Sequence, residues 1–307
     1  MSQGSRQWVS RGIGEAARAA LHTDLPASAV WSLLLDVFEA RAHSRAPAQV
    51  LHQFERDGFV QPAPIDQRTL IALDAQLLAA AHEFEALELS PLAPLGACAS
   101  VGPTSQHKIV SALRGTEVVS DPTNVLALEC ARRLRADGGA RVRLATCHRC
   151  VRAQPVPKLP GFAPHFRIFC LVSGGHEQAN SDFTVAEMLA HIATHLDALD
   201  RLQGDGYAFA ARRLTLLATP PRAALADRIA ARIGGIIVER GALTHPYYDG
   251  LRFQIHTRGR SGDAVPLIDG GAFDWLGALT SNRKLRLIAS GMGAQLAAYL
   301  FRTGGPI

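Results

Sequence analysis

The hydrophobic residues of the first quarter of the chain follow the period of an α-helix. Apolar residues recur every three or four positions over 26–42, 47–57 and 68–84, and prolines punctuate the chain before the last of these segments. That spacing places the apolar side chains on one side of each helix, where they can pack against a core. The pattern therefore predicts a helical N-terminal region over residues 1–83.

From residue 84 the pattern changes to strands with helices between them. The predicted strands cover 116–119, 141–154, 165–172, 213–219, 234–239, 247–256, 265–269 and 285–290, and the predicted helices include 122–135, 183–202 and 294–302. The two strands 141–154 and 165–172 follow each other across a proline-containing loop, which indicates an antiparallel hairpin. This order predicts an α+β fold for 84–307, an antiparallel sheet flanked by helices rather than a doubly wound parallel sheet.

Composition indicates a folded protein with a large core. The chain has 307 residues, of which 48% are hydrophobic and 19% are charged, too apolar for a disordered chain. Its sequence contains no apolar run of the ~18 residues that a membrane helix needs. The first residues also lack the apolar stretch of a secretory signal. We therefore expect a cytoplasmic protein without a membrane segment.

The charge and the cysteines exclude two further classes of site. The formal net charge is +5, but the basic residues are scattered rather than clustered, so binding to tRNA or another nucleic acid is not expected. The five cysteines have no regular spacing, which argues against a disulfide framework. Cys147 and Cys150 flank His148 like half of a zinc site, but no second half follows. We predict no metal site.

The helix predicted over 183–202 carries Glu187, His191 and His195 at intervals of four residues. Such spacing brings the three side chains to one side of a helix, as a metal site requires. The apolar stripe of this helix, however, includes Val185 and Met188 and lies elsewhere on its circumference. The preferred interpretation is a solvent-exposed polar face with a favourable Glu–His pair.

The hairpin is the most informative segment for function. By the period of two, His148, Arg152 and Gln154 share one strand face, and His165 and Arg167 lie on the returning strand. A buried arginine requires a partner, and the planar guanidinium suits a phosphate or carboxylate. Two interpretations remain open: a binding surface for an anionic ligand, formed by these five residues, or an exposed sheet face.

The hairpin, from Val142 to Phe169, resembles motif 2 of the class II aminoacyl-tRNA synthetases, and the histidyl branch is the most similar. In that family an arginine at the end of the strand binds the α-phosphate and carboxylate of the adenylate, and a glutamate follows two residues later. Arg152 occupies the arginine position, whereas Gln154 replaces the acid. The resemblance implies that Arg152, Arg167, His148 and Gln154 would hold an adenylate.

Three later segments resemble the same branch in the same order. The run beginning Tyr247-Tyr248-Asp249-Gly250 is similar to the strand that lines the amino-acid pocket, 266–274 to its glycine-rich continuation, and 289–296 to the strand–helix junction of motif 3. The resemblance implies a class II synthetase-like core. It also implies that Tyr247, Tyr248 and Asp249 would contact the amine or the side chain of an amino acid.

The departures from the family concern the groups that activate an amino acid. Motif 3 normally ends in Glu-Arg, whose arginine binds the γ-phosphate of ATP; Gln295 and Leu296 stand there instead. The histidyl-specific Arg-Gly-Leu-Asp is absent before the tyrosines, and no anticodon-binding domain is expected after Arg302. Because one lost electrostatic donor typically costs ~10²–10³ in rate, standard aminoacylation of tRNA is not expected.

Two functions follow from the resemblance. The first is that of the regulatory subunit of ATP phosphoribosyltransferase, which would imply a homodimer, a phosphoribosyltransferase partner and feedback by histidine. The alternative is a stand-alone ligase that activates an amino acid with ATP and Mg²⁺ and transfers it to a carrier, a small molecule or a protein. A tRNA-related accessory protein is less favoured, because no compact basic patch is evident.

Overall fold

An eight-stranded mixed sheet forms the centre of the computed structural model, which describes residues 3–157, 162–259 and 262–304. The strands are β1 Glu85–Ala86, β2 Leu92–Pro94, β3 Ser111–Ala112, β4 Thr116–Val118, β5 Val142–Val151, β6 His165–His176, β7 Ala210–Ala218, β8 Ile237–Ala242, β9 Leu251–Arg258, β10 Ala264–Phe273 and β11 Leu285–Met292. The large sheet has the order β1-β5-β6-β11-β10-β9-β7-β8, and β2, β4 and β3 form a small second sheet.

Helices cover both faces of the large sheet. The α-helices are α1 Gln3–Ala19, α2 Ala27–His43, α3 Pro47–Phe54, α4 Gln67–Ala80, α5 Pro122–Ala136, α6 Asp182–Gly204, α7 Ala223–Ala230, α8 Trp275–Thr280 and α9 Ala294–Phe301. Helices α4, α6 and α9 pack on one face through a core that includes Leu77 and Met188. Helices α5 and α8 pack on the opposite face around Leu126 and Leu276. Among the described residues no helix is both long and apolar enough to cross a membrane.

The predicted architecture is confirmed, with one difference at each edge of the sheet. The six central strands pair antiparallel with their neighbours, as expected. The edge strands β1 and β8 instead pair parallel with β5 and β7. The two predicted hairpin strands are β5 and β6, and residues 158–161 of the proline-containing loop between them lie outside the described residues.

The predicted N-terminal helices are present, but they differ in how they pack. Helix α4 is part of the core, since Leu73 and Leu77 are almost completely buried against the sheet side that also holds α6. Helices α2 and α3 contain no buried residue. Helix α1, which the pattern did not predict, precedes them. The boundary at residues 83 and 84 stays a prediction.

The N-terminal segment lies at the loop end of the β5–β6 hairpin. Trp31 of α2 packs near Gly115 in the turn before β4, and Gly58 lies near Pro164 at the start of β6. The carbonyl of Gln61 is 2.8 Å from Nε2 of His165. These contacts place α2 and α3 beside the end of the sheet where the hairpin loop lies.

The predicted exposed face of α6 is wrong. Glu187, His191 and His195 are all fully buried. The side of α6 that carries these residues faces strands β5, β6 and β11, so the buried arc of the helix is wider than its apolar stripe. Glu187 is paired with Arg141 and accepts a 2.9 Å hydrogen bond from Nε of Arg143.

The two histidines join α6 to the sheet through serine hydroxyl groups. Nε2 of His191 is 2.9 Å from Oγ of Ser173, and its Nδ1 is 2.8 Å from Oγ of Ser290. Nε2 of His195 is also 2.8 Å from Oγ of Ser290. Burial lowers the pKa of His195 to about 3 and holds the pKa of His191 well below its usual range. Both imidazoles are therefore neutral in the folded protein.

The buried histidines predict a loss of stability in acid. Each of these histidines has a lower pKa in the folded chain than in the unfolded chain, so in acid the unfolded chain binds more protons. The free energy of unfolding therefore falls as the pH drops below about 6.5. For each of His191 and His195 the loss at pH 5 should be about 2 kcal/mol relative to pH 7. Urea unfolding at both pH values measures it.

His195→Gln should retain a donor near Ser290 but remove one titrating group, so its stability should depend less on pH than that of the unchanged protein. His52→Gln, at an exposed position of α3, is the matched control and should leave the pH dependence unaltered. Equal pH dependence in His195→Gln and the unchanged protein would contradict the interpretation.

Candidate functional site

The loop end of the hairpin, the two tyrosines and the glycine-containing end of β11 surround a cavity of about 580 Å³. This volume lies within the range of small-molecule sites. The polar side chains that line it include Asp121, Arg152, Gln154, Tyr247, Tyr248 and Asp269. Phe166, Phe273 and Leu296 contribute apolar lining. The cavity therefore combines segments that are far apart in sequence.

Arg152 lies directly after β5 and is held in place from two sides. Its Nε donates a 3.1 Å hydrogen bond to the carbonyl of Ser120, and its guanidinium lies 5.0 Å from the centre of the Phe166 ring. Nη2 is 3.9 Å from Oδ2 of Asp121, which is too long for a hydrogen bond. The guanidinium therefore has hydrogen-bonding capacity toward a ligand beside a carboxylate of opposite charge.

Asp121, on the same wall, caps the start of helix α5. Its Oδ1 accepts hydrogen bonds from the backbone amide of Thr123 at 3.0 Å and from the Thr123 hydroxyl at 2.7 Å. The sequence analysis did not assign Asp121 to the site. Its position just before a helix that begins with Pro122 was the sequence feature that could have indicated its place, because a carboxylate that caps a helix has a fixed direction.

Tyr247 and Tyr248 occupy the turn before β9 and form an aromatic wall of the cavity. Their rings lie 5.1 Å apart in an edge-to-face arrangement, and the ring of Tyr247 is 5.3 Å from that of Phe273. Burial raises the pKa of both phenols, so each carries its proton near neutral pH. Tyr247 can therefore present a hydroxyl donor to a ligand.

An ion pair that the sequence analysis missed lies at the base of this wall. Arg252 donates two hydrogen bonds to Asp269, at 2.9 Å from Nε and 2.6 Å from Nη2. The hydroxyl of Tyr248 donates a third, at 3.0 Å, and the Arg252 guanidinium lies 4.9 Å from the Tyr248 ring centre. The hydrogen bonds that Arg252 donates to Asp269 raise the pKa of its guanidinium. A lone acidic residue in an apolar strand was the available signal.

His148 and Asp249, both predicted as ligand-binding residues, are close to the cavity but do not line it. His148 is buried in β5, its Nε2 has no hydrogen-bond partner, and burial lowers its pKa. Asp249 points toward Arg222, with 3.4 Å between Oδ2 and Nη2. Direct ligand contact by these two residues stays a prediction that the geometry does not favour.

His165 and Arg167, two of the five residues predicted to form one binding surface, lie on the opposite face of the sheet from Arg152. Opposite residues of an antiparallel pair point to the same face, and the register pairs Arg149 with Arg167 and Val151 with His165. Both side chains therefore lie on the face of the sheet that α4, α6 and α9 cover. Although Arg167 borders the cavity, its guanidinium forms an ion pair with Asp74 of α4.

His165 also has its partners on the face that α4, α6 and α9 cover. Its Nδ1 is 2.9 Å from Nη1 of Arg149, and its Nε2 faces the carbonyl of Gln61. Neither ring nitrogen is available to a ligand in the cavity. The charged lining is thus smaller than the sequence pattern suggested.

The junction of β11 and α9 lies at the position that the family resemblance predicted, but it brings no positive charge to the cavity. Gln295 is 1% exposed, and its Oε1 accepts a 3.3 Å hydrogen bond from Nη1 of Arg149 on the face that α4, α6 and α9 cover. Leu296 lines the cavity instead. The wall next to this junction is therefore apolar.

The carboxylates near the cavity do not form a metal site. Asp269 is occupied by Arg252, and Asp121 caps α5 while facing Arg152. Within the described ranges, no three histidine, cysteine or acidic side chains come together to hold a metal ion. Chemically, the lining offers the Arg152 guanidinium, the neighbouring Asp121 carboxylate, the Gln154 amide and the neutral Tyr247 phenol.

Comparison with known proteins identifies the fold. No protein-family model matches the sequence, and no curated protein matches it. Similar solved structures include a histidine–tRNA ligase subunit from Alicyclobacillus acidocaldarius subsp. acidocaldarius, with 13% identity, a TM-score of 0.57, and coverage of 78% of this chain and 95% of that chain.

Two further structures support the same fold. An ATP phosphoribosyltransferase regulatory subunit/histidyl-tRNA synthetase from Bacillus halodurans has 14% identity and a TM-score of 0.54, over 77% of this chain and 81% of that one. The S. aureus histidyl-tRNA synthetase has 10% identity and a TM-score of 0.59, over 79% and 72%. The chain therefore has a class II synthetase-like fold, as the motif resemblance predicted.

The Arg252–Asp269 pair should stabilise the wall of the cavity. Arg252→Met leaves the partly buried Asp269 carboxylate without its bidentate partner, so the free energy of unfolding should fall by about 1–2 kcal/mol. Arg213→Met removes a comparable pair with Glu239 in which both side chains are about half exposed, and it should change stability by less than ~0.5 kcal/mol. Urea unfolding of both variants measures the difference, and equal effects would contradict this assignment.

Proposed function

We propose that the chain is a class II synthetase-like protein that binds an amino acid or nucleotide ligand in the cavity and does not aminoacylate tRNA in the standard way. In this respect it would be most like a histidine-biosynthesis regulatory subunit. The fold supports the coarser part of this proposal, because its structural neighbours include both a histidyl-tRNA synthetase and such a regulatory subunit.

The charged lining of the cavity carries the proposal. Arg152 and Asp121 lie side by side on one wall, 3.9 Å apart. An α-amino acid carries a carboxylate and an ammonium group on one carbon, so it can place the carboxylate against Arg152 and the ammonium group against Asp121. A guanidinium is well suited to a carboxylate. The neutral phenols of Tyr247 and Tyr248 would then face the side chain of the ligand.

The same lining does not suit a magnesium nucleotide. A triphosphate needs several positive groups, but Arg167 is paired with Asp74 and Leu296 lines the wall beside α9. Asp269 is occupied by Arg252 and offers little to Mg²⁺. These contacts support ligand binding without amino-acid activation.

A regulatory function would require partner chains. We propose a homodimer, as the resemblance implies, and a phosphoribosyltransferase as the protein partner. Strand β1 is an edge strand whose two residues are exposed, so it is accessible to a second chain. Co-purification with a phosphoribosyltransferase from the source cells tests the second assignment.

Ligand binding should stabilise the protein through Arg152. A ligand at 100 times its Kd adds ~2.7 kcal/mol to the free energy of unfolding, so histidine or another amino acid should raise the melting temperature. Arg152→Ala should abolish this shift because it removes the group that holds the carboxylate. Differential scanning fluorimetry with each amino acid and with ATP measures the effect.

Arg213→Ala, which removes an exposed arginine on β7, is the control and should retain the shift. An unchanged shift in Arg152→Ala would contradict the assignment of the site. Pyrophosphate exchange that depends on one amino acid would contradict the non-activating function and favour the alternative, a stand-alone adenylate-forming ligase.

A further inference from the structure

The charged side chains that line the described part of the cavity leave one pair open to a ligand. Four such side chains are present: Asp121, Arg152, Arg167 and Asp269. Asp269 accepts hydrogen bonds from Arg252 and Tyr248. Arg167 forms an ion pair with Asp74. The remaining two, 3.9 Å apart, are the pair proposed to hold the head group of an amino acid. Among the described lining residues, the side chain of that ligand therefore meets no further unpaired charge.

The uncharged polar side chains of the lining offer few additional hydrogen bonds. The hydroxyl of Thr123 donates to Asp121, and the hydroxyl of Ser290 lies 2.8 Å from ring nitrogens of the α6 histidines. Gln154 is exposed in the loop that follows β5, where water competes for its amide. Within the described lining, the hydroxyl of Tyr247 is therefore the group left to bond a polar side chain of a ligand.

Apolar side chains make up most of the remaining lining. They include Phe162, Phe166, Ile168, Leu267, Phe273 and Leu296. The ring of Phe273 lies 5.3 Å from that of Tyr247 and 5.2 Å from that of Tyr248, so the three rings form one continuous surface. Phe162 borders the cavity and is 44% exposed. An apolar group that covers these rings would remove apolar surface from water, which is favourable.

Two apolar side chains of β6 follow the position of the proposed head group. The guanidinium of Arg152 lies 5.0 Å from the centre of the Phe166 ring. Ile168 is the next side chain of β6 on the same face, because the side chains of a strand alternate between faces. A Cβ atom added to Gly291 would lie 3.1 Å from Cδ1 of Ile168, so these two residues meet in the cavity floor. A ligand side chain that extends from Arg152 along β6 therefore passes over Phe166 and Ile168.

We propose that the ligand is an α-amino acid with a large apolar side chain, such as phenylalanine or leucine, which rests on the proposed amino-acid site at Arg152 and Asp121. A charged side chain would be buried without a partner, which is costly. The imidazole of histidine has two ring nitrogens that bond to water, whereas the lining offers it the Tyr247 hydroxyl. Histidine, which the proposed function also admits, should therefore bind more weakly. A cavity of about 580 Å³ has room for a phenyl ring.

Matched pairs of amino acids test this preference in the full chain. Phenylalanine and histidine both carry a planar ring, and leucine and asparagine have nearly the same shape. Phenylalanine should bind at least ~10-fold more tightly than histidine, and leucine at least ~10-fold more tightly than asparagine, because a hydrophobic pocket discriminates by such factors. Isothermal titration calorimetry measures each Kd at a pH of about 8, where the free imidazole is neutral.

Two variants at Ile168 test the contact of the ligand with β6. Ile168→Val and Ile168→Thr leave side chains of nearly the same shape, both compatible with a strand, but the second carries a hydroxyl. Ile168→Thr should bind phenylalanine about tenfold more weakly than Ile168→Val does. Urea unfolding checks that both variants are folded. Equal affinities of the two folded variants for phenylalanine would overturn the proposal.

The ligand series separates a failure of this preference from a failure of the proposed function. Histidine or asparagine that binds as tightly as its apolar counterpart would overturn the preference but would still support an amino-acid site. Binding of ATP without binding of any amino acid, or binding of neither, would overturn the amino-acid site itself and the preference with it.

Discussion

The register between β5 and β6 determines which side chains can form a site. Because the side chains of a strand alternate between faces, pairing His148 with Ile168 directs Phe166 and Ile168 toward the cavity. The same pairing directs Arg149, His165 and Arg167 toward the helices. A shift of one residue would exchange these two sets. The register therefore explains both why fewer charged side chains than predicted line the cavity and why polar contacts form on the face that α4, α6 and α9 cover.

This constraint gives the two faces of the sheet different polar chemistry. On the face that α4, α6 and α9 cover, the polar groups bind one another: Arg167 with Asp74, Arg149 with Gln295, and the α6 histidines with Ser173 and Ser290. Buried polar groups are stable only when their hydrogen bonds are satisfied, so these contacts mainly determine how helices attach to the sheet. On the cavity face, Arg152 keeps capacity for a ligand.

The sequence predicted the elements and the order of the family-like segments, because helical and strand periods are local properties. It could not predict which residues of β5 and β6 lie opposite each other, because the loop between the strands does not define their register. The burial of Glu187, His191 and His195 was missed because their partners lie on β5, β6 and β11, contacts that no local pattern records. The Arg252–Asp269 pair was missed for the same reason: it joins two strands.

His165 connects the N-terminal segment to the start of α9 through hydrogen bonds whose donors and acceptors are fixed. The carbonyl of Gln61 can only accept, so Nε2 of the imidazole carries the hydrogen and Nδ1 accepts from Arg149. The same Nη1 of Arg149 lies 3.3 Å from Oε1 of Gln295, one residue before Leu296 in the cavity wall. A displacement of the segment around Gln61 would therefore be transmitted through one imidazole and one guanidinium to the helix that borders the cavity.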